Sequence, residues 1–441
     1  MRRSGSRDTI VPGALEVRAH GERWSAAGAV LLAAALLSLV VGGAAVSAAR
    51  VPSGAPTPVE IVYSSQGALD RALKSHPASI VRVLAPLHVV EAQPLGDANA
   101  FVREMRHTPG VVAVRRPAPR AAADSTPRLG LVLSPAGEAS EWQYDATGVD
   151  RVPPGVLAAA RSSTIAVIDT GADLRSPDLA GKVVAAYNVR TEGHAASDDT
   201  GHGTFVASLA AGTGAGGVRG FGGAARLLVI KAAGSSGFTD LDVAAGIVYA
   251  VRHGARIINL SVAGRTRSIV EESAIKFAVA RGALIVAAAG NDGMNGDPPE
   301  YPAALLQPVG SNGIGGIGLS VGASDAHGAT ASFSEYGSFV SLSAPGVSVL
   351  GALSSNAPTG AGTRGADLAG FATGTSFAAP EVAGAAALVW AADPKLTAKQ
   401  VTAILKQTAS GHGSWTPALG FGVIDVAAAV GQALQTAAQQ S

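Results

Sequence analysis

The stretch Thr164-Ile-Ala-Val-Ile-Asp169-Thr-Gly171 decides the fold. An apolar and β-branched run with no polar alternation describes a strand buried on both faces, and the aspartate before Thr-Gly ends it at a turn. The same pattern returns at Leu227–Lys231, Arg256–Ser261, Leu284–Ala289 and Leu319–Ala323. Helical patterns lie between these runs at His202–Ala211, Thr239–Arg252 and Ile269–Arg281, and after them at Thr375–Ala392, Thr397–Gln407 and Ile424–Ala438. Strand, helix and strand at such spacings imply parallel pairing, so the predicted class is α/β: a doubly wound, mostly parallel sheet with helices on both faces. Reacting groups in such a sheet gather outside the carboxyl ends of its strands.

The rest of the composition is consistent with a large core. The chain has 441 residues, 47% hydrophobic and only 15% charged, which excludes a disordered polyelectrolyte. Lys and Arg number 33 against 32 acids, so the basic excess of a nucleic-acid binder is missing. Cysteine is absent, which removes disulfides, thiolate metal sites and a cysteine nucleophile. His194, His253 and His412 show no metal-ligand spacing, and no cofactor is expected. Residues 50–130 carry a net charge of +4 and residues 131–441 one of −5, as two mutually attracting parts would.

Four segments are distinguished. Residues 1–49 read as a signal peptide or signal anchor: five arginines precede an uncharged stretch from Ser25 to Ala49 that ends in small residues. That stretch is long enough to span a bilayer, so cleavage and membrane anchoring both stand, with a secreted or cell-envelope location in either case. Residues 50–120 alternate strand-like runs (Ser79–Leu84, Leu87–Glu91, Gly110–Arg115) with a helix at Asn99–His107, a small α+β domain. Residues 121–141 are expected to be a linker, most of it within the Pro-, Ala- and Ser-rich stretch Pro117 to Ala136, which reads as exposed. Residues 142–441 form the α/β domain.

Three segments carry chemistry. Asp169 closes a buried strand, His202 opens a helix within Asp199-Thr-Gly-His202-Gly-Thr-Phe-Val-Ala-Ser208, and Ser376 follows a glycine turn in Ala372-Thr-Gly-Thr-Ser376-Phe-Ala-Ala-Pro380-Glu-Val-Ala-Gly384. A serine hydroxyl is a weak nucleophile until a base accepts its proton, and an imidazole base needs a carboxylate to hold its tautomer. Singly, the three could be a turn residue, a structural histidine and a helix cap. Each nonetheless sits at an element end, where a doubly wound sheet brings such groups together.

With these motifs in the order Asp, His, Ser, the sequence resembles the subtilisin-like serine proteases from about Trp142 to Asp425. The resemblance implies that Asp169 orients, His202 acts as general base and acid, and Ser376 is the nucleophile. It makes Asn291, after Gly290 at the end of Leu284-Ile-Val-Ala-Ala-Ala-Gly290-Asn291, the oxyanion donor. It makes Ser261-Val262-Ala263-Gly264 the strand that pairs with substrate, and counts Gly290 among the substrate-binding residues. Ala263 stands where many relatives have glycine, implying a shallower pocket that disfavours aromatics, while Asp292, Asp297 and Glu300 would favour basic residues. Phe205, Ser208 and Phe377 depart from the common pattern. The loop Gly212 to Gly223 lacks the oxygen side chains that hold calcium in many relatives, although Asp178 matches a ligand position; calcium as a structural ion is left open.

The expected function is therefore an exported serine endopeptidase, made as a zymogen whose own propeptide is residues 50–120, acting on peptide or protein substrates and not on nucleic acid. The alternatives are a membrane-tethered processing protease and a catalytically silent binding protein of the same fold.

Overall fold

The computed structural model describes residues 58–122, 141–233, 237–356 and 369–440. The signal or anchor segment 1–49 and linker residues 123–140 lie outside the described residues.

The N-terminal part is a four-stranded antiparallel sheet, with β1 (Val59–Tyr63), β2 (Ala78–Leu84), β3 (Val89–Pro94) and β4 (Val111–Arg115) in the order β2-β3-β1-β4. Helices α1 (Gln66–Ser75) and α2 (Ala98–Met105) cover one face, where Val59, Ile61 and Tyr63 pack with Leu69, Phe101 and Met105. The alternate residue Val62 belongs to a second cluster, shared with Leu241, Val243 and Ile247 of the α/β domain. Hence β1 is buried along its whole length: each face of this sheet meets helices.

A short strand β5 (Pro119–Ala122) follows, and it corrects the linker expectation over these residues. Arg120 is 3% exposed, and the strand is hydrogen-bonded on both edges. Its partners come from the α/β domain, so nothing local in Pro-Arg-Ala-Ala announces a strand.

The α/β domain is built on seven strands, all parallel to their neighbours: β6 (Thr164–Asp169), β7 (Val183–Asn188), β8 (Arg226–Lys231), β10 (Ile257–Leu260), β12 (Leu284–Ala288), β13 (Leu319–Ser324) and β14 (Leu342–Pro345). Their order is β14-β13-β12-β10-β6-β8-β7. Two more short strands, β9 (Phe238–Thr239) and β11 (Val262–Ala263), flank β5 in a three-stranded antiparallel ribbon, and β15 (Val349–Ala352) pairs with β16 (Ala369–Ala372).

Helices α3 (His202–Ala211), α4 (Asp240–Arg252), α5 (Ile269–Val279), α6 (Thr375–Ala392), α7 (Ala398–Thr408) and α8 (Val426–Gln439) cover the sheet. Side chains of α3, α6 and α8 join one core cluster, and those of α4 and α5 join the cluster on the other face. Helix α6 is buried nearly all round, which is why its sequence has no polar face. No helix among the described residues is long and apolar enough to cross a membrane.

Candidate active site

Asp169 ends β6, the strand with β8 on one side and β10 on the other. Its carboxylate is fully buried, accepts the Thr170 N–H at 2.7 Å, and contacts His202 Nδ1 through Oδ1 at 2.7 Å. A carboxylate in that place fixes the ring so that Nδ1 carries the proton and Nε2 is the basic atom. His202 is the first residue of α3, and its backbone is drawn in by a close approach. A Cβ on Gly203 would stand 2.1 Å from the Gly171 carbonyl oxygen, so this position takes glycine.

Asp198 organises this corner and was not singled out in the sequence. It is fully buried, and its carboxylate accepts from the Thr170 hydroxyl (2.8 Å), the N–H groups of Thr200, Gly201 and Thr204, and the Thr204 hydroxyl (2.6 Å). The Thr170 hydroxyl in turn accepts the Gly203 N–H. The Asp169 turn and the start of α3 are thereby tied to one carboxylate. Its signal was only an acid in a glycine- and threonine-rich loop.

Ser376 lies in the first turn of α6, at the positive end of an 18-residue helix. It is laced to Ser261: the Ser261 hydroxyl donates to the Ser376 carbonyl at 2.7 Å, and the Ser376 hydroxyl donates to the Ser261 carbonyl at 3.3 Å. The adjacent Phe377 ring lies 5.5 Å from the His202 imidazole, centre to centre, and 4.7 Å from Phe205. The two departures Phe205 and Phe377 thus pack on each other beside the imidazole. Ser208, the third departure, accepts the Ala352 N–H and holds β15.

Asn291 follows β12 and Gly290. Its Oδ1 accepts the Thr375 N–H (3.0 Å) and hydroxyl (3.1 Å), while Nδ2 is buried with no hydrogen-bond partner among the described residues. The amide is therefore fixed by its oxygen, with its donors left beside the start of α6, where the Ser376 N–H is also located. Thr375, unread in the sequence, locks the pair further by accepting the Gly290 N–H at 3.2 Å.

The residues expected to pair with substrate lie on and beside β11, next to β5. Ser261 and Val262 are fully buried and Ala263 is 7% exposed, with Val262 opposite Ala122 and Ala263 opposite Ala121 of β5. Gly264 pairs with Tyr301. Gly290 has φ 122°, and a Cβ there would meet Glu300 Oε2 at 2.1 Å. Burial, then Asp292, pushes the Glu300 carboxyl up to about 7, and burial with Asp297 pushes Glu335 up to about 10. Asp292 itself is ion-paired with Arg265, and Asp297 accepts the Tyr336 N–H.

In the loop after α3, the site the resemblance would give to calcium is occupied by backbone donors. Asp178 accepts the N–H groups of Gly216 (2.7 Å) and Val218 (3.3 Å), so donors converge on it where a cation needs oxygens. Among the described residues, no group of three His, Asp or Glu side chains is arranged to hold a metal. Asn259, in a formal glycosylation sequon, is fully buried in β10.

The chain matches known proteins in sequence and in fold. Residues 160–422 match the subtilase family. Thermitase from Thermoactinomyces vulgaris is 34% identical over 63% of this chain and 92% of its own length, and subtilisin Savinase from Lederbergia lenta is 36% identical over 60% and 89%. A thermophilic serine proteinase of Bacillus sp. (strain AK1) is 36% identical over 51% of each protein, so the chain spans about half the length of that relative. Among solved structures, fervidolysin from Fervidobacterium pennivorans aligns with a TM-score of 0.68 at 24% identity, covering 85% of this chain and 61% of that one. The epidermin leader peptide processing protease of Staphylococcus aureus aligns with the same score at 20% identity, covering 86% and 98%. With most of the α/β domain matched and the three motifs at the ends of its elements, the chain belongs to the subtilase family of serine peptidases.

Proposed function

We propose that the chain is an exported serine endopeptidase that hydrolyses peptide bonds through an acyl-enzyme. The observation that carries this reading is the 2.7 Å contact of Asp169 with His202 Nδ1. His202 Nε2 takes the proton of the Ser376 hydroxyl as its oxygen bonds to the scissile carbonyl carbon. The carbonyl oxygen becomes an oxyanion that accepts from Asn291 Nδ2 and the Ser376 N–H, donors already fixed before reaction. The intermediate collapses, the C–N bond breaks, and the amine leaves with the proton held by His202. Water then repeats the sequence on the ester, giving up a proton to His202 and releasing the acid and the serine.

The N-terminal unit is proposed to be a propeptide, and the protein a zymogen. Three arginines support this. Arg82 pairs with Asp242, Arg115 with Asp240, and Arg120 with Glu271, each an arginine of residues 58–122 on an acid of the α/β domain. Strand β5 is antiparallel to β11, which the resemblance makes the substrate-pairing strand, and this supports the same reading. Cell-envelope or secreted location follows from the leader reading and accords with relatives such as the cell wall-associated protease of Bacillus subtilis.

The test is hydrolysis of casein by the purified protein and its Ser376→Ala variant, with intact mass measured alongside. Activity lost in the variant, and loss of residues before about 142 only in the active protein, is the expected result. Equal activity in both, or active enzyme that keeps the N-terminal unit, would overturn the corresponding half.

A further inference from the structure

The Arg120–Glu271 pair has no solvent exposure on either side chain. The guanidinium is bidentate, with Nη2 donating to Glu271 Oε2 at 2.8 Å and Nε to Oε1 at 3.3 Å, and Nη2 also donates to the Thr266 carbonyl at 2.9 Å. The slot is shaped for it: a Cβ on Gly264 would stand 3.1 Å from both Cδ and Nη1 of Arg120. Glu271 is held in turn at the start of α5, where its N–H donates to Ser268. Burial raises its carboxyl, and Arg120 is the largest influence drawing it back down.

Arg120 sits in β5, the strand proposed to occupy the substrate cleft. A buried acid whose cation departs with a released segment is left in a costly state, because the carboxylate loses its partner and its hydrogen bonds together. The vacated slot then offers two carboxylate oxygens and a backbone carbonyl to the next peptide. That set matches the planar fork of an arginine and matches the point charge of a lysine poorly.

The register gives the position. Arg120 is opposite Phe238, Ala121 opposite Ala263 and Ala122 opposite Val262. The residue immediately before β11 is Ser261, whose carbonyl accepts from the Ser376 hydroxyl. Extended by one residue, this register would set a bound peptide's residue opposite Ser261 with its carbonyl toward Ser376, and arginine would stand three residues before it. We propose that Glu271, Thr266 and Gly264 form an arginine subsite, so that the enzyme selects peptides with arginine three residues before the one at which it cuts. This rests on the protease reading and names its substrate class.

The test uses the mature enzyme, produced by processing of the full chain, and three peptide anilides: Arg-Ala-Ala-Ala, which copies residues 120–123, and its Lys and Leu counterparts. A ratio of kcat/KM for Arg over Leu of roughly 10–100 is expected, with Lys nearer to Leu, as charge-assisted hydrogen bonds give. Glu271→Gln should bring the Arg-to-Leu ratio within about threefold of unity, and Gly264→Ala should lower it by obstructing the slot. Equal turnover of the Arg and Leu peptides by the unsubstituted enzyme overturns the subsite alone. Failure to cleave any peptide, with no labelling of Ser376 by a fluorophosphonate, overturns the protease reading and the subsite with it.

Discussion

Replacing Asn291 by alanine separates two jobs that one side chain performs. Its amide nitrogen is buried with no partner among the described residues, while its oxygen accepts the Thr375 N–H and hydroxyl at 3.0 and 3.1 Å. Loss of a single oxyanion donor typically costs about 10²–10³ in kcat, or about 2.7–4 kcal/mol, and leaves KM nearly unchanged because the bond forms only in the transition state. Loss of the acceptor orphans a donor at the first turn of α6, a stability cost of about 1–2 kcal/mol. Asn291→Asp divides these effects. It keeps the acceptor, so its melting temperature stays close to that of the unsubstituted protein, while its charge and missing donors depress kcat at least as far as alanine does. The assay is steady-state hydrolysis of a peptide anilide by all three proteins, with thermal melts followed by circular dichroism. A folded Asn291→Ala enzyme with kcat within about threefold of the unsubstituted value would refute the assignment of the oxyanion site.

Other outcomes follow from neighbouring residues. Activity should survive mild peroxide, because the residue after the nucleophile is Phe377 and not a methionine; rapid inactivation measured on an anilide substrate would contradict this. A chelator should leave the melting temperature unchanged, since backbone donors already converge on Asp178. Asp198→Ala should cost about 3 kcal/mol or more in denaturant unfolding and lower kcat with it, because both Thr170 and the first turn of α3 lose their acceptor. Glu381 is fully buried in α6 with neither oxygen partnered among the described residues, and burial holds its carboxyl well above the usual range. The folded state therefore holds this proton more tightly than the unfolded one, and its contribution to stability falls as pH rises above the ordinary glutamate value. Glu381→Leu should stabilise the protein, with a gain that grows toward alkaline pH in melts across a pH series.

The central strands were legible because burial on both faces leaves an unbroken apolar signature, as in Thr164–Asp169 and Leu284–Ala288. The edge strands were not. Val183–Asn188 is mostly half-buried at the rim of the sheet, and Leu342–Pro345 ends in a proline that only an edge accommodates easily. Helix starts at His202 and Thr375 were readable from the glycines before them. What escaped was everything held by distant partners. The Pro119–Ala122 strand takes its hydrogen bonds from β9 and β11, and Glu271 reads as a solvated acid in a helix until Arg120, 151 residues away, covers it. Asp198 and Thr375 are of the same kind: their sequence signal is a small polar residue in a loop or at a cap, and their role exists only once the loops converge.

The central claim is that Ser376 is activated by a histidine that Asp169 holds in one tautomer. Fluorophosphonate labelling of the purified protein, with the adduct located by peptide mass spectrometry, tests it most directly. The account predicts one adduct, on Ser376, with labelling abolished in Ser376→Ala and slowed by about four orders of magnitude in Asp169→Asn, where the tautomer is no longer fixed. Modification at another serine, or labelling in Asp169→Asn as fast as in the unsubstituted protein, would contradict it.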